Sequence, residues 1–143
     1  MTEHDVQDLI AAVTIAQTEW VNGVVNPLWD LREGTIFGPF GGPAGGGPGL
    51  DEAQSRIAAL FHDGSAELDI ANTIVSGDVV CLALVERNSV RFDGDDEPRP
   101  WILRSTVVFR RDGDSWTLLH RHADPLIQTR DLTATLALLP TTM

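Results

Sequence analysis

Apolar side chains in the first part of the chain recur at intervals of three and four residues, which is the spacing of one face of a helix. The pattern predicts an amphipathic helix from residue 6 to residue 21. Thr2 and Asp5 are placed to cap its start, and Asn22-Gly23 ends it. The predicted buried stripe consists of Val6, Leu9, Ile10, Val13, Ala16, Trp20 and Val21.

Two shorter helices are predicted on either side of a loop. Pro27 is suited to open the first, which carries apolar residues at 28, 29 and 31. The second covers residues 51–61, where Asp51 and Gln54 have the spacing of a capping box. Residues 38–49 between them are almost all glycine and proline, so we expect a loop. The loop lacks the Lys and Ser/Thr of a phosphate-binding loop, so no nucleotide site is expected.

The hydrophobic period changes from helical to two after Gly64, beginning with the alternating apolar residues at 66, 68 and 70. Three more strands are predicted at about residues 78–88, 101–110 and 115–124. Acidic and glycine-containing turns at 93–98 and 112–114 separate them. Helices followed by an antiparallel meander predict an α+β fold in which a curved antiparallel sheet packs on N-terminal helices.

The run from Val79 to Val85 is apolar without a break, which predicts a strand covered on both faces. Helices would cover one face and a second layer or subunit the other. Cys81 lies in this run as a small buried hydrophobe. Because it is the one cysteine, no intrachain disulfide can form, and a cytoplasmic location is expected.

Length and charge narrow the class of protein. The chain has 143 residues, and we expect one domain over residues 1–126 and a C-terminal extension of unassigned structure over 127–143. The net charge of -11 argues against nucleic-acid and anionic-membrane partners. No apolar run approaches the roughly 20 residues that span a bilayer, and no export signal is visible.

Candidate chemistry lies on the last predicted strand. Strict alternation places His120, His122 and Asp124 on the same face as Trp116 and Leu118. His122 beside Asp124 is a sensible general acid/base pair. Alternatively, His120 is packed in the core and Asp124 merely ends the strand. Two imidazoles and a carboxylate also suit a metal, but no further ligand is identifiable, so we predict neither a metal nor a cofactor.

Arg104 and Thr106 share one face of the preceding strand, and a core-like set lies on the other face. Arg104 could hold a carbonyl or enolate oxygen with two hydrogen bonds. It could equally form an ion pair with Glu86 across the sheet. We count Glu86, Thr106 and His120 among the candidate ligand-contacting residues.

Three aromatic side chains are candidates for a pocket wall: Trp29, Phe37 and Trp101. Aromatic residues of this kind line cavities that receive flat apolar ligands. The alternative is that they belong to the core.

Three segments carry a family resemblance, namely residues 35–42 (TIFGPFGG), 103–111 (LRSTVVFRR) and 116–124 (WTLLHRHAD). In this order the chain resembles the SnoaL-like, ketosteroid-isomerase-like branch of the nuclear-transport-factor-like (cystatin-like) superfamily. The resemblance implies a conical half-barrel with a cavity between sheet and helices. It also implies frequent dimerisation through the outer face of the sheet, and a cavity-facing position for Arg104.

The functional expectation that follows is a small-molecule pocket protein. It would bind, or act by proton abstraction on, a small apolar or polyketide-like carbonyl compound, with Asp124 as base and His122 and Arg104 polarising the oxygen. The chain contains no tyrosine, so it cannot copy the tyrosine-dependent mechanism of ketosteroid isomerases. The alternative is a non-catalytic ligand-binding or dimeric assembly module.

Overall fold

The computed structural model describes residues 1–142, without the side chain of Pro48. Helix α1 spans Glu3–Trp20, α2 spans Leu50–Ala58 after a 3-10 turn at Gly47–Gly49, and a short α3 spans Leu132–Leu136. The strands are β1 (Thr35–Phe37), β2 (Gly45–Gly46), β3 (Phe61–Ser76), β4 (Val79–Phe92), β5 (Arg99–Asp112) and β6 (Ser115–Pro125). The α+β class predicted from the sequence is confirmed.

The strands form one sheet in the order β2-β1-β6-β5-β4-β3. The meander from β3 to β6 is antiparallel, as predicted, and β1 joins its β6 edge in parallel. No helix within residues 1–142 is long and apolar enough to cross a membrane.

Helix α1 lies against the sheet through the predicted stripe. Thr2 and Asp5 form a reciprocal capping box, which satisfies two backbone N–H groups of the first turn. Leu9 and Val13 pack into a core with residues of β4, β5 and β6. Trp20 and Val21 pack into a second cluster with Phe61 of β3. The amphipathic pattern of the first helix is therefore confirmed.

The helix predicted from Pro27 is wrong. The backbone of this segment pairs with β6 instead, because Leu118 N–H donates to Leu28 C=O at 2.6 Å and Asp30 N–H donates to Leu118 C=O at 3.0 Å. The Asp30 carboxylate accepts from the N–H groups of Arg32 and Glu33, which holds a turn. These bonds keep the pKa of Asp30 below its usual range.

The capping box predicted for the second helix is also wrong. Gly49 precedes the first residue of α2 and provides no side-chain cap, while Gln54 is buried with 3% of its surface exposed. The helix is held by the core through Leu50 and Ala58. The Gln54 side chain therefore does not cap the helix and points into the interior of the protein.

The run from Val79 to Val85 is covered on one face only within the single chain. Val80, Leu82 and Leu84 are buried against the helices. Cys81, Ala83 and Val85 point to the opposite, outer face and are half-buried. The second covering layer predicted from the sequence is therefore not supplied by residues 1–142 themselves.

Gly64, near the start of β3, is hydrogen-bonded to Asn22, which follows the end of α1. Asn22 Nδ2 donates to Gly64 C=O at 2.9 Å and Gly64 N–H donates to Asn22 Oδ1 at 3.0 Å. The chain passes so close here that a Cβ on Gly64 would lie 2.2 Å from the carbonyl oxygen of Val21. No side chain fits at this position without moving backbone.

We therefore predict that Gly64→Ala destabilises the fold by about 2 kcal/mol or more, because the added methyl group meets a carbonyl that cannot swing away. Gly38→Ala is the matched control. A Cβ there meets nothing within 4 Å, so its free energy of unfolding should change by less than about 0.5 kcal/mol. Urea unfolding followed by circular dichroism measures both, and equal stability of the two variants would contradict the prediction.

Candidate functional site

A β-bulge in β6 decides which residues face the helices. Phe109 pairs with Leu118 and the adjacent Val108 pairs with His120, so Leu119 is an extra residue on β6. Beyond an extra residue every side chain changes face. Leu118, Arg121 and Ala123 are buried on the helix side.

The prediction that His120, His122 and Asp124 face the interior with Leu118 is wrong in orientation. After the bulge these three side chains point to the outer face of the sheet. His122 is exposed, and His120 and Asp124 are half-buried. Strict alternation holds only up to Leu118, because Leu119 is an inserted residue. A prediction based on period two cannot anticipate such an insertion.

The structure brings the predicted acid, base and arginine together on the outer face. Asp124 Oδ2 lies 3.3 Å from His122 Nε2 and 3.7 Å from Arg104 Nη2. They line an open groove of about 400 Å³ with Thr106, which pairs with His122. The side chains of Arg104, His122 and Asp124 are 63%, 50% and 43% exposed, so water screens their interactions. The catalytic roles predicted for them stay predictions.

His120 and Phe37, two other predicted site residues, also lie on the outer face and contact each other there. Thr35 of β1 places its Oγ1 2.6 Å from His120 Nδ1. The Phe37 ring is 5.8 Å from that of His120 and 5.3 Å from that of His122. Phe37 is 41% exposed, so it does not line the interior as predicted.

The interior contains a buried ion pair that links β4 to β6. Arg121 Nη2 donates to Glu86 Oε2 at 2.8 Å and to Oε1 at 3.1 Å, and Nε donates to Oε1 at 3.4 Å. Glu86 is 3% exposed and Arg121 is 9% exposed. The pairing of Glu86 with Arg104 considered from the sequence is therefore wrong, because Arg104 lies on the other face.

Further polar groups surround this pair. Gln17 of α1 donates through Nε2 to Asn88 Oδ1 at 3.1 Å, and Asn88 Nδ2 donates to the carbonyl of Trp101 at 2.9 Å. Gln54 of α2 is also buried, yet its amide makes no hydrogen bond with another described residue. Three amide side chains and the Glu86–Arg121 ion pair thus converge between the helices and the sheet.

Two small cavities lie next to these groups, with Trp20, Gln54 and Arg121 lining both. One has a volume of about 30 Å³ and is also bounded by Phe40, Phe61 and Trp101. The other has a volume of about 10 Å³ and is also bounded by Trp29. Of the predicted wall residues, Trp29 and Trp101 therefore reach the interior. A water molecule needs roughly 10–15 Å³, so these two cavities hold a few waters at most.

Three buried residues have polar atoms without a protein partner among the described residues. The guanidinium of Arg121 bonds to Glu86 through Nε and Nη2 and leaves Nη1 free. Ser105 Oγ is fully buried and makes no hydrogen bond. Arg121 and Gln54 are buried residues that line both cavities, so Nη1 and the Gln54 amide are available to a molecule that enters there. No group of three or more His, Cys, Asp or Glu in residues 1–142 is arranged to hold a metal.

Sequence reasoning selected Glu86 but missed Arg121, Gln17, Gln54 and Asn88. A signal for Glu86 and Asn88 was present, because both keep the phase of the inward residues of β4 from Val80 to Val90. A buried glutamate requires a cation. That requirement called for an arginine near Glu86. Only the bulge shows that Arg121 is the one that faces inward.

The buried pair generates a stability prediction. Arg121→Met should cost about 3–5 kcal/mol, because it leaves the Glu86 carboxylate buried without a cation. Adding Glu86→Leu to the same chain should recover at least half of that loss, since no unpaired charge then remains. Arg104→Met is the matched control and should cost less than about 1 kcal/mol, as its ion pair is exposed. Chemical unfolding measures all three, and a double variant no more stable than Arg121→Met would contradict the prediction.

Comparison with known proteins identifies the fold. No family model matches the chain, and no curated protein matches it. Among solved structures, a proposed dehydratase of the NTF2-like family from Streptomyces avermitilis superposes with a TM-score of 0.69 at 22% identity, covering 87% of this chain and 96% of that one.

Two further solved structures are similar. A protein with a cystatin-like fold from Caulobacter vibrioides has a TM-score of 0.63 at 14% identity, covering 94% of this chain and 93% of that one. The association domain of CaMKII from C. elegans has a TM-score of 0.64 at 17% identity, covering 85% and 96%. The chain therefore has the NTF2-like, cystatin-like fold.

Proposed function

We propose that this protein binds a small apolar carbonyl compound in the interior between α1, α2 and the sheet. The observation that carries the proposal is a pair of donor groups, Arg121 Nη1 and the Gln54 amide, on two buried residues that line the same cavity. A carbonyl oxygen at this position would accept from both groups. It would thereby satisfy donors that no described residue satisfies.

The charge of the site favours a neutral ligand. Glu86 already balances the positive charge of Arg121 at a distance of 2.8 Å. A carboxylate ligand would add a second anion to a buried site that holds a single cation, and burying an unpaired charge is costly. A ketone, aldehyde or amide oxygen accepts the same hydrogen bonds without that cost.

The walls of the site favour a flat apolar body. The rings of Trp20, Phe61 and Trp101 bound the larger cavity. The Trp20 and Phe61 rings meet edge to face with centroids 5.3 Å apart. Aromatic walls with a few convergent polar groups are the usual composition of small-molecule sites.

Catalysis by proton abstraction is a separate proposal. Asp124, the predicted base, lies in the outer groove with His122 and Arg104, on the opposite side of the sheet from Arg121. The interior carboxylate, Glu86, is committed to Arg121. One structural neighbour is a proposed dehydratase. A reaction in the outer groove or in the interior is therefore a reasonable hypothesis. Binding requires fewer assumptions than turnover.

The binding proposal predicts that a small aromatic ketone binds in the interior, with its oxygen at Arg121 and Gln54. Titration calorimetry with 4-phenylbutan-2-one should show binding to the wild-type chain. Gln54→Leu should weaken that binding about tenfold, because one hydrogen bond to the oxygen is lost. Butylbenzene, which has the same shape without the oxygen, should bind at least about tenfold more weakly in ligand-observed NMR.

Arg104→Met separates the two faces of the sheet in the same experiment. If the ketone binds inside, this outer variant binds it as the wild type does. Loss of binding in Arg104→Met with none in Gln54→Leu would move the site to the outer groove. Equal affinity for the ketone and the hydrocarbon would overturn the role of the buried donors.

A second candidate function is assembly of a homodimer through the outer face of the sheet. Neighbouring outward residues of β3, β4 and β5 form an apolar strip, since Ile74 pairs with Cys81, and Cys81 with Val108. Ala83 and Val85 extend the strip along β4, and Ile74 is 55% exposed. An apolar strip at the centre of an uncovered sheet favours a protein partner. One structural neighbour is an association domain.

The dimer proposal predicts that Ala83→Glu converts the protein to a monomer. In a two-fold interface the substitution places like charges close together, so the dimer dissociation constant should rise at least about 100-fold. Ala11→Glu, at an exposed position on α1, is the matched control and should leave the dimer intact. Sedimentation velocity measures both, and a monomeric wild-type chain at concentrations on the order of 100 μM would contradict the proposal.

A further inference from the structure

A second apolar groove lies directly outside the larger interior cavity. It has a volume of about 400 Å³ and is bounded by Leu60, Phe92 and an ion pair between Asp95 and Arg99. Phe40 and Trp101 line both this groove and the interior cavity. The two spaces therefore share a wall, and that wall includes one side chain carried by the glycine-rich loop.

The segment that carries Phe40 is attached firmly at its ends and weakly between them. At one end β1 pairs with β6, and at the other β2 pairs with β1. Between the strands, residues 38–44 contain a single backbone hydrogen bond among the described residues, from Gly41 N–H to Gly38 C=O at 3.2 Å. We call residues 38–44 the Phe40 loop.

The backbone of the Phe40 loop has room to change. Gly41 and Gly42 have φ angles of +84° and +83°, which glycine adopts without strain. A Cβ at either residue would meet nothing within 4 Å. Neither residue is wedged against the body of the protein, so the two glycines can serve as hinge positions.

Phe40 itself is held loosely. Its ring lies 6.1 Å from that of Trp101 at a tilt of 31°, and 63% of its surface is exposed. Trp101, by contrast, is held from the other side by Phe92, with centroids 5.2 Å apart. Because Phe40 buries only about a third of its surface, displacing it forfeits little apolar burial.

The volumes show why a displacement matters. The interior cavity of about 30 Å³ is far below the roughly 300–1,000 Å³ that small-molecule sites occupy. The groove bounded by Leu60 and Phe92 has the missing space, and Arg121 lies only at the inner end, in the cavity. A ligand that extends from this groove to Arg121 and Gln54 must therefore pass the position of Phe40.

We propose that Phe40 is a gate, and that the ligand is an elongated molecule with a carbonyl group at one end and an apolar body at the other. When the Phe40 loop lifts, the cavity and the groove become one channel. The carbonyl oxygen then reaches Arg121 and Gln54, and the apolar body lies between Leu60, Phe92 and Trp101. This inference rests on the proposed ketone-binding function of the interior.

The rim of the groove adds a boundary to this ligand class. Arg99 donates to both carboxylate oxygens of Asp95, with Nε to Oδ2 at 2.8 Å and Nη2 to Oδ1 at 2.5 Å. These bonds keep the pKa of Asp95 below its usual range, so its carboxylate stays ionised at neutral pH. A ligand that ends in an apolar group leaves this pair undisturbed, whereas a charged end would compete with it.

The experiment uses the full-length chain and the naphthyl ketone prodan, whose fluorescence reports transfer from water to an apolar site. Stopped-flow mixing gives the association and dissociation rate constants. Phe40→Ala should raise both by at least about fivefold while the dissociation constant changes by less than about threefold, because a gate alters passage more than the bound state. Ile15→Ala, at a position with 62% of its surface exposed on α1, is the control and should leave both rates unchanged.

The outcomes separate the gate from the binding function. If the wild-type chain binds prodan and Phe40→Ala leaves both rate constants unchanged, the gate is overturned and the interior site stands. If neither protein binds prodan or 4-phenylbutan-2-one, the proposed binding function fails as well. A larger dissociation constant with an unchanged association rate constant would show that Phe40 is only a wall of the site, and it would also overturn the gate.

Discussion

One extra residue in the last strand, Leu119, determines the chemistry of both faces of the sheet. It moves Arg121 to the interior and turns His122 and Asp124 outward. Without it the alternation that buries Leu118 would place Arg121 in solvent and leave Glu86 as a buried carboxylate without a cation. Because an unpaired buried charge is far more costly than a bulge, the bulge and the ion pair stabilise the same register.

The buried pair also explains why one part of the interior is polar while the rest is filled with apolar side chains. An arginine and a glutamate removed from water need further hydrogen-bonding partners around them. Gln17, Asn88 and Gln54 come from α1, β4 and α2, so each layer of the fold contributes to one polar cluster. The donors left over at its edge are the reason that we propose a ligand site in this region, with Phe40 as its gate.

The two faces consequently have different physical characters. Inside, one charge pair is nearly dry and its hydrogen bonds fix the direction of the arginine donors. Outside, Arg104, His122 and Asp124 lie close together but are wet, and water weakens every interaction among them. The same exposed face carries the apolar strip of β4. A second copy covering it would dry this cluster, which links the acid/base chemistry predicted from the sequence to assembly.

The sequence by itself determined the first helix, the four-stranded meander and hence the α+β class, because these depend on the local periodicity of apolar residues. It also selected Glu86 as a candidate residue, although it considered Arg104 and not Arg121 as the partner. Only the tertiary structure decided the pairing of the Pro27 segment and β1 with β6, the burial of Gln54, and the faces of Arg121, His122 and Asp124. These features depend on which distant backbone groups pair and on one inserted residue, and such pairing leaves no periodic trace in the strand that carries it.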